Sequence, residues 1–289
     1  MLKNVITILL TACFSNSLIA QYAEHIEPDF IKTIQFAGDT KQSQLPIINL
    51  SEALFLSFDD LNGNEADYYY QITHHDFDWT LSDLTKGEYM SGFDDVRIYN
   101  YENSFNTFQS YSHYTLKIPN RDTRKLTKSG NYMISIFDNN GEIVFSRRFM
   151  IVENIVSVPT YIKRARDLKS IETKQVVQFT IDSPSLLITN PDETIKTLIL
   201  QNSNLNNSIT NLKPQYTIGS QLIYRYDKEA SFYGGNEFLY FDNKDIRAGT
   251  STIRRIDLTD IYNHFLYTNG ARFNRPYTYN PDINGNYQI

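Results

Sequence analysis

Apolar and polar residues alternate along most of this chain with a period of two, and helical spacing is scarce. Ala53–Phe58 reads as a strand. The cluster Asp59-Asp60-Leu61-Asn62-Gly63-Asn64 reads as the turn that ends it, because Asp, Asn and Gly accept turn backbone angles. In Asp67–Thr73, Tyr68, Tyr70 and Ile72 fall on one strand face, Tyr69 and Gln71 on the other. His113–Ile118 is a further strand, closed by Pro119-Asn120. Tyr132–Phe137 runs into Asp138-Asn139-Asn140-Gly141, and Glu142–Val152 returns from it. Asn-Gly between two apolar runs signals a hairpin, since both central residues can take positive φ. From Asp83 to Gln109 the alternation fades. Gly87, Gly92, Asp94-Asp95 and Asn103 predict loops with one or two short strands there, and Leu81–Leu84 forms a helical turn at most.

Short strands separated by turns every 8–12 residues or so predict a β-sandwich. Residues 25–153 fit an immunoglobulin-like or fibronectin-like one. Ser129-Gly130-Asn131-Tyr132, just before the penultimate strand, has the form of a tyrosine corner, in which a phenol bonds back to upstream backbone. Residues 154–160, with Val156–Pro159, read as a linker, and 161–289 as a second β-rich domain. There Val176–Ile181, Ile195–Gln201, Gln221–Tyr226, Glu237–Phe241 and Thr250–Ile256 read as strands, and Asn202–Asn211 as a polar turn. The expected class is all-β, with two β-sandwich-like domains.

The N-terminus indicates where such a fold works. Lys3, the apolar run Val5–Phe14 and the polar Ser15–Ala20 have the order of a secretory signal, with cleavage after Ala20 leaving Gln21 first. The apolar run is far short of the ~20 residues that span a bilayer. Leu10-Thr11-Ala12-Cys13 offers the alternative of a lipobox with Cys13 lipidated. Cys13 is the only cysteine, so if it leaves with the signal, disulfides, thiolate metal sites and a cysteine nucleophile leave too. Stability then rests on core burial. The net charge of −6 gives no basic excess for nucleic acid or an acidic membrane.

Candidate chemistry is sparse. If His74-His75-Asp76-Phe77-Asp78-Trp79 is extended, His74, Asp76 and Asp78 share a face that suits a divalent ion. The same residues at a strand end are also ordinary turn chemistry, and no fourth ligand is near in sequence. Trp79 is a core residue or an interface anchor. Ser129-Gly130 and Gly234-Gly235-Asn236 fit neither a phosphate loop nor a dinucleotide fingerprint, and there is no Gly-x-Ser-x-Gly elbow. No two carboxylates stand out for glycoside hydrolysis. Arg147-Arg148, Arg164-Ala165-Arg166 and Arg254-Arg255 are solvated strand faces or partner contacts. No catalytic residue, metal or cofactor is expected, which points to a binding protein. The 21 Tyr and 18 Phe against one Trp suit half-buried strands and binding surfaces alike.

Several segments in order resemble one family. They are Ile31–Phe36, Phe58-Asp59-Asp60-Leu61, Tyr70–His74 running on to Asp78-Trp79, Ser82 with Leu84, and Glu88-Tyr89. Ser104–Thr107, His113-Tyr114, Ser129–Tyr132, Arg148-Phe149-Met150, Gly235–Phe238, Tyr240–Asp242 and Asp282–Gly285 continue the series. Together they are similar to the plug protein family of the type IX secretion system. The resemblance implies a periplasmic protein that closes the inner mouth of a very large outer-membrane barrel, the SprA translocon, in a complex that includes the PorV barrel. It implies no catalytic residues, no small-molecule substrate and no nucleic acid. Family members continue past Asp282–Gly285 into further β structure, whereas this sequence stops at Ile289, so the expectation is either a truncated gene product or a shortened member, and a strand cut off there would leave a sheet edge unpaired.

The aromatic-rich stretch from Tyr89 to Tyr111 is the expected partner surface, through Tyr89, Phe93, Tyr99, Tyr101, Phe105, Phe108 and Tyr111. The alternative function is an exported carbohydrate-binding sandwich, which would place aromatic side chains along a concave face.

Overall fold

The computed structural model describes residues 23–39, 45–234, 243 and 245–268. The signal-peptide and Cys13 readings, the Glu237–Phe241 strand and the Asp282–Gly285 segment lie outside the described residues. The chain divides into two compact units, the second beginning at Ile155.

The first unit contains β1 (Ile31–Ala37), β2 (Ile47–Asn49), β3 (Leu54–Asp60), β4 (Tyr69–His75), α1 (Lys86–Tyr89), β5 (Met90–Gly92), β6 (Val96–Arg97), β7 (Tyr101–Asn103), β8 (Ser112–Ile118), β9 (Thr123–Leu126), β10 (Gly130–Phe137) and β11 (Ile143–Val152). One sheet has the order β1-β3-β8-β7, the other β2-β11-β10-β4-β6, and β5 pairs with β9. Only β2 with β11 is parallel among these pairs. The period-two pattern builds the core. Leu54, Leu56 and Phe58 of β3, and Tyr114, Leu116 and Ile118 of β8, are buried, while Phe55 and Lys117 point out. From the second sheet, Tyr70 and Ile72 of β4, Ile134 and Ile136 of β10, and Phe145 and Phe149 of β11 meet them. Ring contacts cross between the sheets: Phe58 lies edge-on to Phe145 at 5.2 Å, and Phe36 edge-on to Phe149 at 5.7 Å. Each such buried side chain stabilises by roughly 1.5–3 kcal/mol before entropy is counted. This is a β-sandwich.

The buried carboxylate of this core is paired. Asp60 is fully buried at the end of β3 and accepts the Tyr68 hydroxyl and the Asn62 N–H, both at 2.9 Å. Burial and the Asp60 carboxylate together push the Tyr68 phenol far above its ordinary range. The tyrosine corner is present: Tyr132 Oη donates to the Lys128 carbonyl at 2.8 Å.

Two expectations are corrected. The Asn140-Gly141 hairpin is not a two-residue turn with both φ positive, because Gly141 alone has positive φ. The Asp138 carboxylate instead accepts the N–H groups of Asn140 and Glu142 and builds a longer, bulged turn. Leu81–Leu84 is not helical; Leu81 bridges to His75. The helical turn is α1, where the Glu88 carboxylate caps the Thr85 N–H at 2.8 Å.

The second unit contains β12 (Thr160–Arg164), β13 (Lys174–Asp182), α2 (Pro191–Thr194), β14 (Leu198–Gln201), β15 (Asn204–Thr210), β16 (Tyr216–Ile218), β17 (Gln221–Tyr224), β18 (Ser231–Tyr233), β19 (Ile253–Leu258) and β20 (Tyr262–Leu266). Its main sheet runs β12-β13-β17-β16, with β18 also on β13, while β14-β15 and β19-β20 are two-stranded. Phe179, Ile181, Leu222 and Tyr224 form a small core, with Phe179 stacked on Tyr224 at 4.3 Å. Asn202–Asn211 is mostly a strand rather than a turn. Asn202 and Ser203, with φ of 53° and 59°, make the tight reversal, and β15 returns along β14. Its polarity concealed it: Leu205 and Ile209 are only half-buried, and Asn207 donates to the Gln201 side chain at 3.0 Å.

Candidate partner-binding surface

The His74–Trp79 cluster resolves into structural roles. His74 is buried between Ser82 Oγ, 2.8 Å from Nδ1, and the Ser129 carbonyl, 3.2 Å from Nε2. Asp78 accepts the Thr80 hydroxyl at 2.6 Å and so closes its turn. Asp76 donates its N–H to the Thr80 carbonyl. Among the described residues no group of three His, Cys, Asp or Glu is arranged to hold a metal ion. His75 is buried against the Trp79 carbonyl and Thr73, and this burial lowers its pKa. Trp79 is a core residue, covered by the Arg148 guanidinium at 4.4 Å from its ring centroid. Arg147 pairs with Glu27 at 2.6 Å, Arg164 with Glu172 at 2.7 Å, and Arg255 with Asp257 at 3.0 Å.

The stretch after α1 is anchored more firmly than its polar sequence suggests. The Asp94 side chain is almost fully buried, accepts the Ile72 N–H at 2.8 Å and pairs with Lys86 at 2.5 Å. Asp95 and Ile98 donate their N–H groups to the Tyr70 and Tyr68 carbonyls. The segment is therefore stitched to β4 as an edge strand.

The seven expected contact residues separate on this frame. Tyr89 is corrected to a core residue: it is 4% exposed, donates to the Ile72 carbonyl at 3.0 Å, and packs on His74 and Tyr132. Its position at the end of α1 turns it inward, and burial raises its pKa. Tyr101 and Tyr111 are half-buried. Tyr101 donates to Glu65 at 2.9 Å, a bond that raises the phenol's pKa, and its ring leans on Tyr114 at 5.5 Å. Phe93, Tyr99, Phe105 and Phe108 are exposed. Phe93 stands beside β9, where its carbonyl accepts the Thr123 hydroxyl. Tyr99 lies under the Arg97 guanidinium, 5.7 Å from its ring centroid. Phe105 and Phe108 share the loop between β7 and β8.

Glu65 has a role that its sequence neighbours do not signal. It holds both Tyr101 and Asn103 from 36 and 38 residues away, a pairing with no local sequence signal. Two shallow depressions, of about 280 and 470 Å³, are lined by Asn49–Ser51 with Lys125 and residues 152–154, and by residues 190–193 with 214–217. Neither includes any of the seven aromatic residues, and the exposed Tyr216 lines the second.

Residues 31–153 match the family model for the type 9 secretion system plug protein first domain. The chain is also similar to a hypothetical protein from Parabacteroides merdae known from a crystal structure. The TM-score is 0.77 at 29% sequence identity, over 91% of this chain and 67% of that one. No curated protein matches the chain.

Proposed function

We propose that this protein, whose residues 31–153 match the family model for the type 9 secretion system plug protein first domain, seals the inner mouth of that system's outer-membrane translocon from the periplasm. The family match carries this reading. Its partner is a SprA-like barrel, with a PorV-like barrel in the same complex. The architecture supports such a role. A sandwich with aromatic rings interlocked across two sheets is a rigid body that can occlude an aqueous opening. A seal that must release calls for a polar contact of moderate area, because core-like interfaces are permanent. The exposed aromatics between Phe93 and Phe108, set among Asn, Ser, Thr and Gln, have that character.

The test is a native pull-down. The chain is tagged, membranes are solubilised in mild detergent, and co-purifying proteins are identified. The expected result is recovery of a very large outer-membrane barrel. Recovery of no barrel, together with binding to glycan arrays, would replace the plug by the carbohydrate-binding alternative.

A further inference from the structure

We propose that Phe105 and Phe108 form a preorganised aromatic hook that inserts into an apolar socket on the partner protein, with basic groups on the socket's rim. The inference deepens the plug reading and rests on it for the partner's identity. Phe105 is 93% exposed and Phe108 as exposed as in an extended peptide. Single exposed apolar residues are ordinary, but two large rings at one loop tip, with the exposed Tyr99 on the same segment, call for a partner.

The loop is held in shape before anything binds. The Ser104 N–H donates to the Tyr111 carbonyl at 2.8 Å, and the Tyr111 N–H donates to Ser104 Oγ at 2.9 Å, which closes the neck. Gln109 Nε2 donates to the Leu61 carbonyl at 2.9 Å and fastens the loop to the turn after β3. Ordering is thus completed during folding, and little further chain entropy is lost on docking.

Charge identifies the kind of partner. From residue 98 to 112 the only formally charged side chain is Glu102, which is exposed, and Glu65 stands at the base of the loop. Loops and helices that insert into anionic lipid carry Lys or Arg beside their apolar tips, whereas the loop between β7 and β8 carries neither, and Arg97 over Tyr99 is paired with Asp67 at 2.6 Å. An aromatic tip with an acidic flank complements a protein pocket with a basic rim.

The experiment measures binding of the immobilised full chain to the detergent-solubilised translocon barrel. The double variant Phe105→Ser/Phe108→Ser should bind on the order of a hundredfold more weakly, about tenfold per ring lost from an interface anchor. Glu102→Lys should weaken binding several-fold and flatten its salt dependence. Fluorescence of the buried Trp79 verifies that both variants fold. Unchanged binding by the double variant overturns the hook and leaves the plug reading standing. Failure of the wild-type chain to bind the barrel overturns both. Wild-type binding to phosphatidylglycerol vesicles that the double variant loses assigns the loop to lipid and overturns the hook.

Discussion

Replacing Gly130 by alanine should be among the most damaging single changes in the first unit. Gly130 opens β10 with φ of +144°, a conformation that side chains rarely adopt. A Cβ there would overlap His74 Nε2, with Cε1 at 3.0 Å and Cδ2 at 3.3 Å. The imidazole cannot step aside freely, because it is held by Ser82 and the Ser129 carbonyl and lies edge-on to Tyr132 at 4.9 Å. Backbone strain contributes about 1–3 kcal/mol. Displacing the buried histidine from its hydrogen bonds adds roughly 1–3 kcal/mol. A total near 4 kcal/mol, at a urea m-value of about 2 kcal/mol/M, lowers the midpoint by roughly 2 M. The assay is built in: Trp79 is the only tryptophan, lies buried in this unit, and its fluorescence follows this unit's unfolding. In a His74→Ala background the alanine has room, and its cost should fall to the backbone share, which leaves a coupling of about 1–3 kcal/mol. A midpoint shift below roughly 0.3 M, or an undiminished penalty in the His74→Ala background, would refute the reasoning.

Burial holds folded His75 below its ordinary value of 6.5, so the unfolded chain takes the proton first. Stability of the first unit should therefore fall as pH drops through about 6.5, by no more than ~1.4 kcal/mol per pH unit from this group, and His75→Gln should flatten that slope in urea titrations at pH 7 and 5. Tyr132→Phe removes the bond to the Lys128 carbonyl and should cost about 1–2 kcal/mol by the same fluorescence assay; no loss would deny the corner its structural role. Tyr224 is its opposite: fully buried, its hydroxyl has no hydrogen-bond partner among the described residues, and burial pushes the phenol up to about 12. Tyr224→Phe should be neutral or stabilise by about 1 kcal/mol, and a lower calorimetric Tm for the second unit would contradict this. Ser203→Gly, at φ of 59°, should stabilise the β14–β15 reversal by about 0.5–1 kcal/mol, visible as slower amide exchange in both strands.

Where one face is wholly buried, the alternation in the sequence predicts the structure correctly. Tyr68, Tyr70 and Ile72 are buried as a set because one sheet face meets a continuous core, which leaves a period-two pattern no alternative register. The tyrosine corner is equally legible, since it depends on a local bond four residues back. Strands β2, β5, β6, β7 and β9 are not legible in this way. Each has two to four residues, and pairing with a remote partner holds it rather than an apolar stripe. In the second unit, β15 hides for a related reason: its Asn204, Asn206 and Asn207 are exposed while its backbone pairs with β14. The Asn-Gly signal at residues 140–141 locates its hairpin but misidentifies the turn type. Asp138 offers its carboxylate to two backbone N–H groups and so favours a bulged turn that needs only one positive φ.

The aromatic segment shows why a surface is harder to read than a core. Tyr89 and Tyr99 have the same side chain and similarly polar neighbours, yet one packs under β4 and the other stands in solvent. What separates them is the anchoring by Asp94, whose carboxylate takes the Ile72 N–H and fixes the chain so that residues before it turn inward. An acidic residue in a loop carries no mark that it will be buried, because burial depends on a lone N–H waiting on a distant strand. Phe105 and Phe108 are different, since nothing in the fold asks for them. Their loop closes through Ser104 and Tyr111 and is fastened by Gln109, all polar groups, so the two rings could be replaced by serine without loss of any internal bond. Residues that a fold can do without, held rigidly where water must cover them, carry a cost that folding does not return. A contact made outside the chain does return it, and it is this asymmetry, rather than aromatic content, that distinguishes the tip of the loop from the other tyrosines and phenylalanines around it.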